Sequence, residues 1–221
     1  MPVLQTGLAK SGAEAYTIDQ SLRFAHGDSG YLGKTFGSSG NRRTFTVSCW
    51  VKNTAISYTE GYRTFYGVYS SDSHYSKYYL MGDKLTFREY VSSSKESYVI
   101  SDSVLRDPAA WYHLVLAVDT SESTPADRVK MWSNGVALSQ DINTQVGQDT
   151  DIFGWQDSSY AQEIGISRQF GGSGTTYSDM YLADYYYLDG IAASPSDLGE
   201  TDTATGQWKP IEYTGSYGTN G

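Results

Sequence analysis

The stretch that decides the fold reads Asp107-Pro108-Ala109-Ala110-Trp111-Tyr112-His113-Leu114-Val115-Leu116-Ala117-Val118-Asp119, followed by Arg128-Val129-Lys130-Met131-Trp132-Ser133-Asn134-Gly135-Val136. Side chains on a strand point alternately to opposite faces. Tyr112, Leu114, Leu116 and Val118 form the more apolar set and are expected to face a core, with Trp111, His113, Val115 and Ala117 on the other side. The second segment ends in Asn134-Gly135, a pair suited to the positive φ that a two-residue hairpin needs at both central positions. An antiparallel sheet in the middle of the chain follows. The same period over 44–52 turns Phe45, Val47, Cys49 and Val51 inward and Thr46, Ser48 and Trp50 outward. Aromatic rings on an outer sheet face need a cover or a ligand, and cover by an arm or loop is the expected fate of Trp50 and Trp111.

Working outward, strands are expected at 21–24, 30–35, 44–52, 62–70, 74–81, 84–90, 97–101, 111–119, 128–133, 136–139, 162–167 and 179–188. Gly at 23 positions and Tyr at 20 against Phe at 7 fit many strands and many turns, because aromatic residues suit a pleated surface and Gly serves tight turns. Short strands without an internal repeat indicate an all-β, two-sheet antiparallel jellyroll sandwich rather than a propeller. The best helical signal, Ser194-Pro195-Ser196-Asp197-Leu198-Gly199, is a cap, a first-turn Pro and a terminal Gly, enough for one turn. Residues 1–221 are expected to form one domain, with extended arms at about 1–15 and 201–221.

A net charge of −9 argues against a nucleic-acid partner, since phosphate binding relies on clustered Lys and Arg. There is no run of ~20 apolar residues and no charged-then-apolar leader over Met1 to Ala15, so neither membrane insertion nor a signal peptide is expected. The lone Cys49 lies in an apolar strand with nothing basic beside it in sequence, the setting of an inert thiol.

The central strands, with Trp111-Tyr112-His113 running to Asp119 and the Asn134-Gly135 turn, resemble the centre of laminin G-like jellyroll domains of the concanavalin A-like lectin/glucanase superfamily. Ser21-Leu22-Arg23-Phe24, Asp28 to Leu32 and Gly40 to Lys52 resemble the family's opening strands. Ile164-Gly165-Ile166, Tyr181 to Gly190 and Pro195 to Glu200 resemble its closing ones. The tail from Trp208-Lys209-Pro210 to Gly221 is similar to that of uncharacterised jellyroll proteins of marine bacteriophages. Such relatives have Gly near position 180 and continue past the final Asn-Gly into another strand, whereas Met180 stands here and Gly221 comes last, which leaves that strand absent or supplied by a neighbour. The resemblance implies a virion or extracellular assembly, made in the cytoplasm and released by lysis, with other virion or fibre subunits and further copies of itself as partners.

Glucanases of the superfamily carry Glu-x-Asp-x-x-Glu on a strand, because retaining hydrolysis needs two carboxyl groups ~5 Å apart. The nearest approach, Glu200-Thr201-Asp202, lacks the third acid, and His26, His74 and His113 are scattered. No catalytic residue and no required cofactor are assigned. Calcium is a candidate ion, since laminin G-like domains hold one at a sheet rim, and Asp119 and Asp127 are the residues for it. Carbohydrate binding rests on the aromatic surplus, because sugar rings stack on Tyr and Trp while polar neighbours satisfy their hydroxyls. Tyr58, Tyr62, Tyr66, Tyr69, Tyr75, Tyr78 and Tyr79 form one aromatic segment, and Asp149 to Tyr160 another. Trp155 leads the candidates, with Tyr160, Tyr66, Tyr78, Asp157 and Asp151. Such rings are equally at home in subunit interfaces. The expected function is a non-enzymatic, virion-associated module that binds host glycan or polysaccharide. The alternatives are a purely structural self-assembling subunit and a divergent glycan hydrolase.

Overall fold

A computed structural model describes residues 16–54, 62–92, 95–168 and 174–221. The expected arm at 1–15 and Tyr58 lie outside the described residues. In chain order the strands are β1 (Leu22–Phe24), β2 (Leu32–Lys34), β3 (Thr44–Asn53), β4 (Arg63–Ser71), β5 (His74–Met81), β6 (Lys84–Val91), β7 (Lys95–Val104), β8 (Tyr112–Asp119) and β9 (Val129–Ser133). They continue as β10 (Val136–Ala137), β11 (Gln140–Thr144), β12 (Gln162–Ile164), β13 (Ile166–Ser167), β14 (Thr176–Tyr177), β15 (Met180–Asp189), β16 (Gly199–Thr201) and β17 (Trp208–Pro210). Two large antiparallel sheets result, in the orders β1-β15-β3-β8-β9-β10 and β11-β7-β6-β5-β4-β12-β2. This is the all-β jellyroll sandwich expected from the sequence.

The hairpin that anchored the reading is present: Asn134 and Gly135 both take positive φ, and Ser133 pairs with Val136 across them. Alternation holds as well, with Phe45, Val47, Cys49, Val51, Leu114, Leu116 and Val118 all fully buried between the sheets. Burial pushes the Cys49 thiol pKa far up, in keeping with an inert thiol.

Several boundaries differ for physical reasons. The run 162–167 breaks at Gly165, which takes φ +84 where a Cβ would collide with the Phe24 ring. β11, β14, β16 and β17 were not expected, because their polar or Pro-containing sequences lack alternation and their pairing is imposed by neighbours. The stretch 201–221, expected as an extended arm, is hydrogen-bonded to the rest of the fold. Part of it forms the β16–β17 hairpin, and beyond that Tyr217 and Asn220 are held by Asp189 at the end of β15. The helical turn expected at Pro195–Asp197 carries its Ser194 cap, closed by the Asp197 side chain, and two further single turns form at His26–Asp28 and Pro125–Asp127.

Candidate functional site

The outer face of the six-stranded sheet is set by register. Trp50 on β3 pairs with His113 on β8 on one side and with Ala183 on β15 on the other. Each of these residues alternates with a core residue, so all three face away from the sandwich. The C-terminal segment covers part of this face, where Val115, Leu188, Ala193 and Leu198 form a second apolar cluster.

Trp208 extends the cover over His113. Its indole lies where Cβ atoms on Gly135 and Gly199 would be, so both glycines are needed for its close approach. The His113 ring stacks on Trp50 at 5.1 Å, and the Trp208 ring lies nearly coplanar with it, edge to edge, at 6.0 Å, each at an interplanar angle of 17°. Trp208 Nε1 donates to His113 Nδ1 at 2.9 Å, and Nε2 lies 2.8 Å from Ser48 Oγ. An indole nitrogen can only donate, so Nδ1 is unprotonated and Nε2 carries the hydrogen. Burial pushes the His113 pKa down to about 4.

Next to this stack the cover is incomplete. A cleft of about 320 Å³ opens between residues Ile18, Asp19, Gln20 and Ser21 on one lip and Pro210 on the other, with Trp50, Trp111 and Ala183 completing it. Trp111 is 37 % exposed, whereas Trp50 is 8 % exposed. The Trp50 indole N–H is buried and has no acceptor among the described residues. The arrangement is a mostly apolar recess with a few polar groups on one lip, the usual composition of a small-ligand site. Among the described residues Asp19 is the one carboxylate lining it, whereas glycoside hydrolysis uses a pair of acids.

The residues expected to bind sugar lie elsewhere. Trp155 is fully buried, with its ring 4.4 Å from Phe45 and 4.5 Å from Tyr66. The 149–160 stretch therefore does not display its tryptophan; it inserts Ile152 and Trp155 into the core. Tyr78 is likewise fully buried, and Tyr66 is buried with its hydroxyl held between Gln162 Oε1 and Gln156 Nε2. Tyr160 is half-buried against Phe153. Asp157 pairs with Arg42 at 3.0 Å and Asp151 with Arg43 at 2.6 Å. Large rings among small polar residues read as a binding loop, but burying a Trp contributes more than exposing it, and the loop folds to do so.

For calcium, Asp119 Oδ1 accepts from the Ser121 amide and hydroxyl, and Asp127 pairs with Lys130 at 3.2 Å. Among the described residues no three His, Cys, Asp or Glu side chains converge to hold a metal. Trp50 and Trp111, which the period of two turned outward, are the rings that reach the cleft. Pro210 and the lip at 18–21 have no sequence signal of their own.

Fold and site together define a lectin-like β-sandwich with an aromatic recess on its outer face. The chain belongs to the concanavalin A-like lectin/glucanases superfamily, whose laminin G-type profile matches residues 26–173. No curated protein sequence matches it. Among solved structures, domains LG4-5 of the mouse laminin α1 chain are similar at a TM-score of 0.56 and 13 % identity, covering 93 % of this chain and 47 % of that one. The botulinum neurotoxin serotype D ligand binding domain in complex with N-acetylneuraminic acid is similar at a TM-score of 0.54 and 14 % identity, covering 83 % of this chain and 41 % of that one. The binding domain of botulinum neurotoxin DC in complex with SialylT is similar at 0.54 and 12 %, covering 80 % and 40 %. This chain spans less than half the length of each of the three. Among the described residues no helix is long and apolar enough to cross a membrane.

Proposed function

We propose that this chain is a non-enzymatic carbohydrate-binding module whose ligand occupies the cleft beside Trp111. The observation that carries this reading is a half-exposed indole at a recess of about 320 Å³ whose lip offers Asp19, Gln20 and Ser21. A saccharide lays its apolar face on Trp111 and its hydroxyls on those polar groups. Superfamily membership and the two toxin structures, solved with N-acetylneuraminic acid and SialylT, support the ligand class. The resemblance of the tail to phage jellyroll proteins supports a virion surface as the setting.

A glycan array probed with the wild-type chain and with Trp111→Ala tests the reading. Loss of the stacking surface is expected to weaken binding about tenfold, the equivalent of roughly 1.4 kcal/mol, with the unfolding curve unchanged. Equal binding by the variant, or binding to no glycan, would overturn it.

A self-assembling subunit is favoured by a different observation. Leu22 on β1 and Leu32 on β2 are 46 % and 48 % exposed on edge strands, where an unpaired apolar edge invites another chain. Light scattering decides this: a monomer removes the second reading, and a defined oligomer that loses mass in Leu22→Lys/Leu32→Lys supports it.

A further inference from the structure

The next row of residues on the same outer face has a distinct character. Register aligns Arg23 on β1 with Tyr181 on β15, and Tyr181 with Lys52 on β3. Val51 pairs with Tyr112, which sets Lys52 across from Trp111, the residue just before β8. The row therefore reads cation, ring, cation, ring, one step from the Ser21, Ala183 and Trp50 positions that line the cleft. Arg23 lies over the Tyr181 ring at 5.9 Å, which confirms that the two share a face. Neighbouring strands are about 4.8 Å apart, so one ligand resting on Trp111 can reach Lys52.

Among the described residues neither cation of this row forms an ion pair. Several cations elsewhere are tied to acids: Arg42 to Asp157, Arg43 to Asp151, Arg168 to Glu163, and Lys209, beside Pro210, to Glu200. Neither Arg23 nor Lys52 has an acidic partner among the described residues, in a chain whose net charge is −9. With acids in excess, an unpaired Lys and Arg in one row beside an aromatic recess form a local anion site against the overall field. A polyanion such as nucleic acid would meet that field along its whole length, whereas a single acidic group meets only the row. Asp19, on the N-terminal lip, accepts from Thr17 Oγ1 at 3.2 Å and suits the hydroxyl side of the ligand.

We infer that the saccharide is an acidic one, a sugar carrying a carboxylate or a sulfate, which Lys52 and Arg23 bind while Trp111 stacks beneath its ring. This inference rests on the carbohydrate-binding reading of the cleft and adds the charge of its ligand.

The test uses matched pairs that differ in charge alone: trigalacturonate and its methyl ester, a sulfated galactose oligosaccharide and its desulfated form, sialyllactose and lactose. Titration of the wild-type chain is expected to show the acidic member of at least one pair bound about tenfold more tightly, as a charge-assisted hydrogen bond provides. That gap is expected to shrink between about 50 mM and about 500 mM salt. It is also expected to close in Lys52→Gln/Arg23→Gln, with neutral binding and the unfolding curve retained. A carboxylate preference and a sulfate preference are distinguished by which pair responds. Neutral members bound as tightly as acidic ones, or a gap that survives in the double variant, overturn the inference and leave the module a neutral-sugar binder. Binding to neither member of any pair overturns the carbohydrate reading itself.

Discussion

The stack at the centre of the outer face predicts a defined response to acid. His113 Nδ1 accepts the Trp208 indole N–H, and the imidazole is closed in by Trp50, Trp208 and Ser48. A proton on Nδ1 would face that N–H and replace an acceptor with a donor, and its charge would be desolvated. Burial accordingly pushes the folded-state pKa down to about 4, whereas the unfolded chain takes the proton near 6.5. Between those values the unfolded state binds more protons, so stability falls as pH falls through that window and is insensitive to this group above it. About 2.5 pH units at 1.36 kcal/mol each gives a loss of roughly 3 kcal/mol by pH 4. Urea unfolding followed by tryptophan fluorescence at pH 7, 6, 5 and 4 measures it, with His113→Gln as the reference that lacks the titrating ring. The wild-type chain is expected to lose roughly 3 kcal/mol more than the variant across that series. Parallel curves would refute the reasoning and mean that the ring is solvated or already charged.

Two further substitutions test the packing. Trp155→Ala removes a fully buried ring and is expected to cost about 3–5 kcal/mol in denaturant unfolding, with glycan affinity kept under native conditions; a stable variant that no longer binds would restore Trp155 to the site. Gly135→Ala puts a Cβ into the Trp208 ring at φ +77 and is expected to cost at least about 1 kcal/mol in thermal unfolding and to diminish the near-ultraviolet circular dichroism of the indoles around His113; an unchanged spectrum would mean that Trp208 does not need this glycine.

The sandwich was legible because its signals are local. Alternation over 44–52 and 111–119 assigns both faces of two neighbouring strands, and Asn134-Gly135 assigns the turn of a third. The site was less legible because it is assembled from distant segments. Trp50 and Trp111 were correctly turned outward and cover was expected for both; Trp50 is covered and Trp111 is not, and whether a ring is covered depends on where residues 18–21 and 208–217 come to lie. Trp155 failed in the opposite sense. Its neighbours Asp149, Asp151, Asp157 and Ser158 mark a loop, and nothing in a loop's composition shows that its ring fills the space between Phe45, Tyr66 and Phe87.

The cleft is a consequence of partial cover. Both faces of the six-stranded sheet carry large apolar groups, so leaving the outer one bare would expose a broad apolar patch. The C-terminal segment closes one part with Ala193, Leu198 and Trp208, and Tyr16 fastens the N-terminal segment at the other side by donating to Asp184 Oδ1 at 2.7 Å. Between Pro210 and Ser21 the two covers do not meet, and Trp111 stands at the gap. Ligand selectivity is therefore divided between parts of the chain with different freedom to change. Strand register sets the row Arg23, Tyr181, Lys52 and Trp111, and a slip of one residue in any of their strands would turn its member toward the core. The covers set only the width of the gap, so substitutions at Asp19, Gln20 or Pro210 should alter which saccharide fits without removing the stacking ring or the charges beside it.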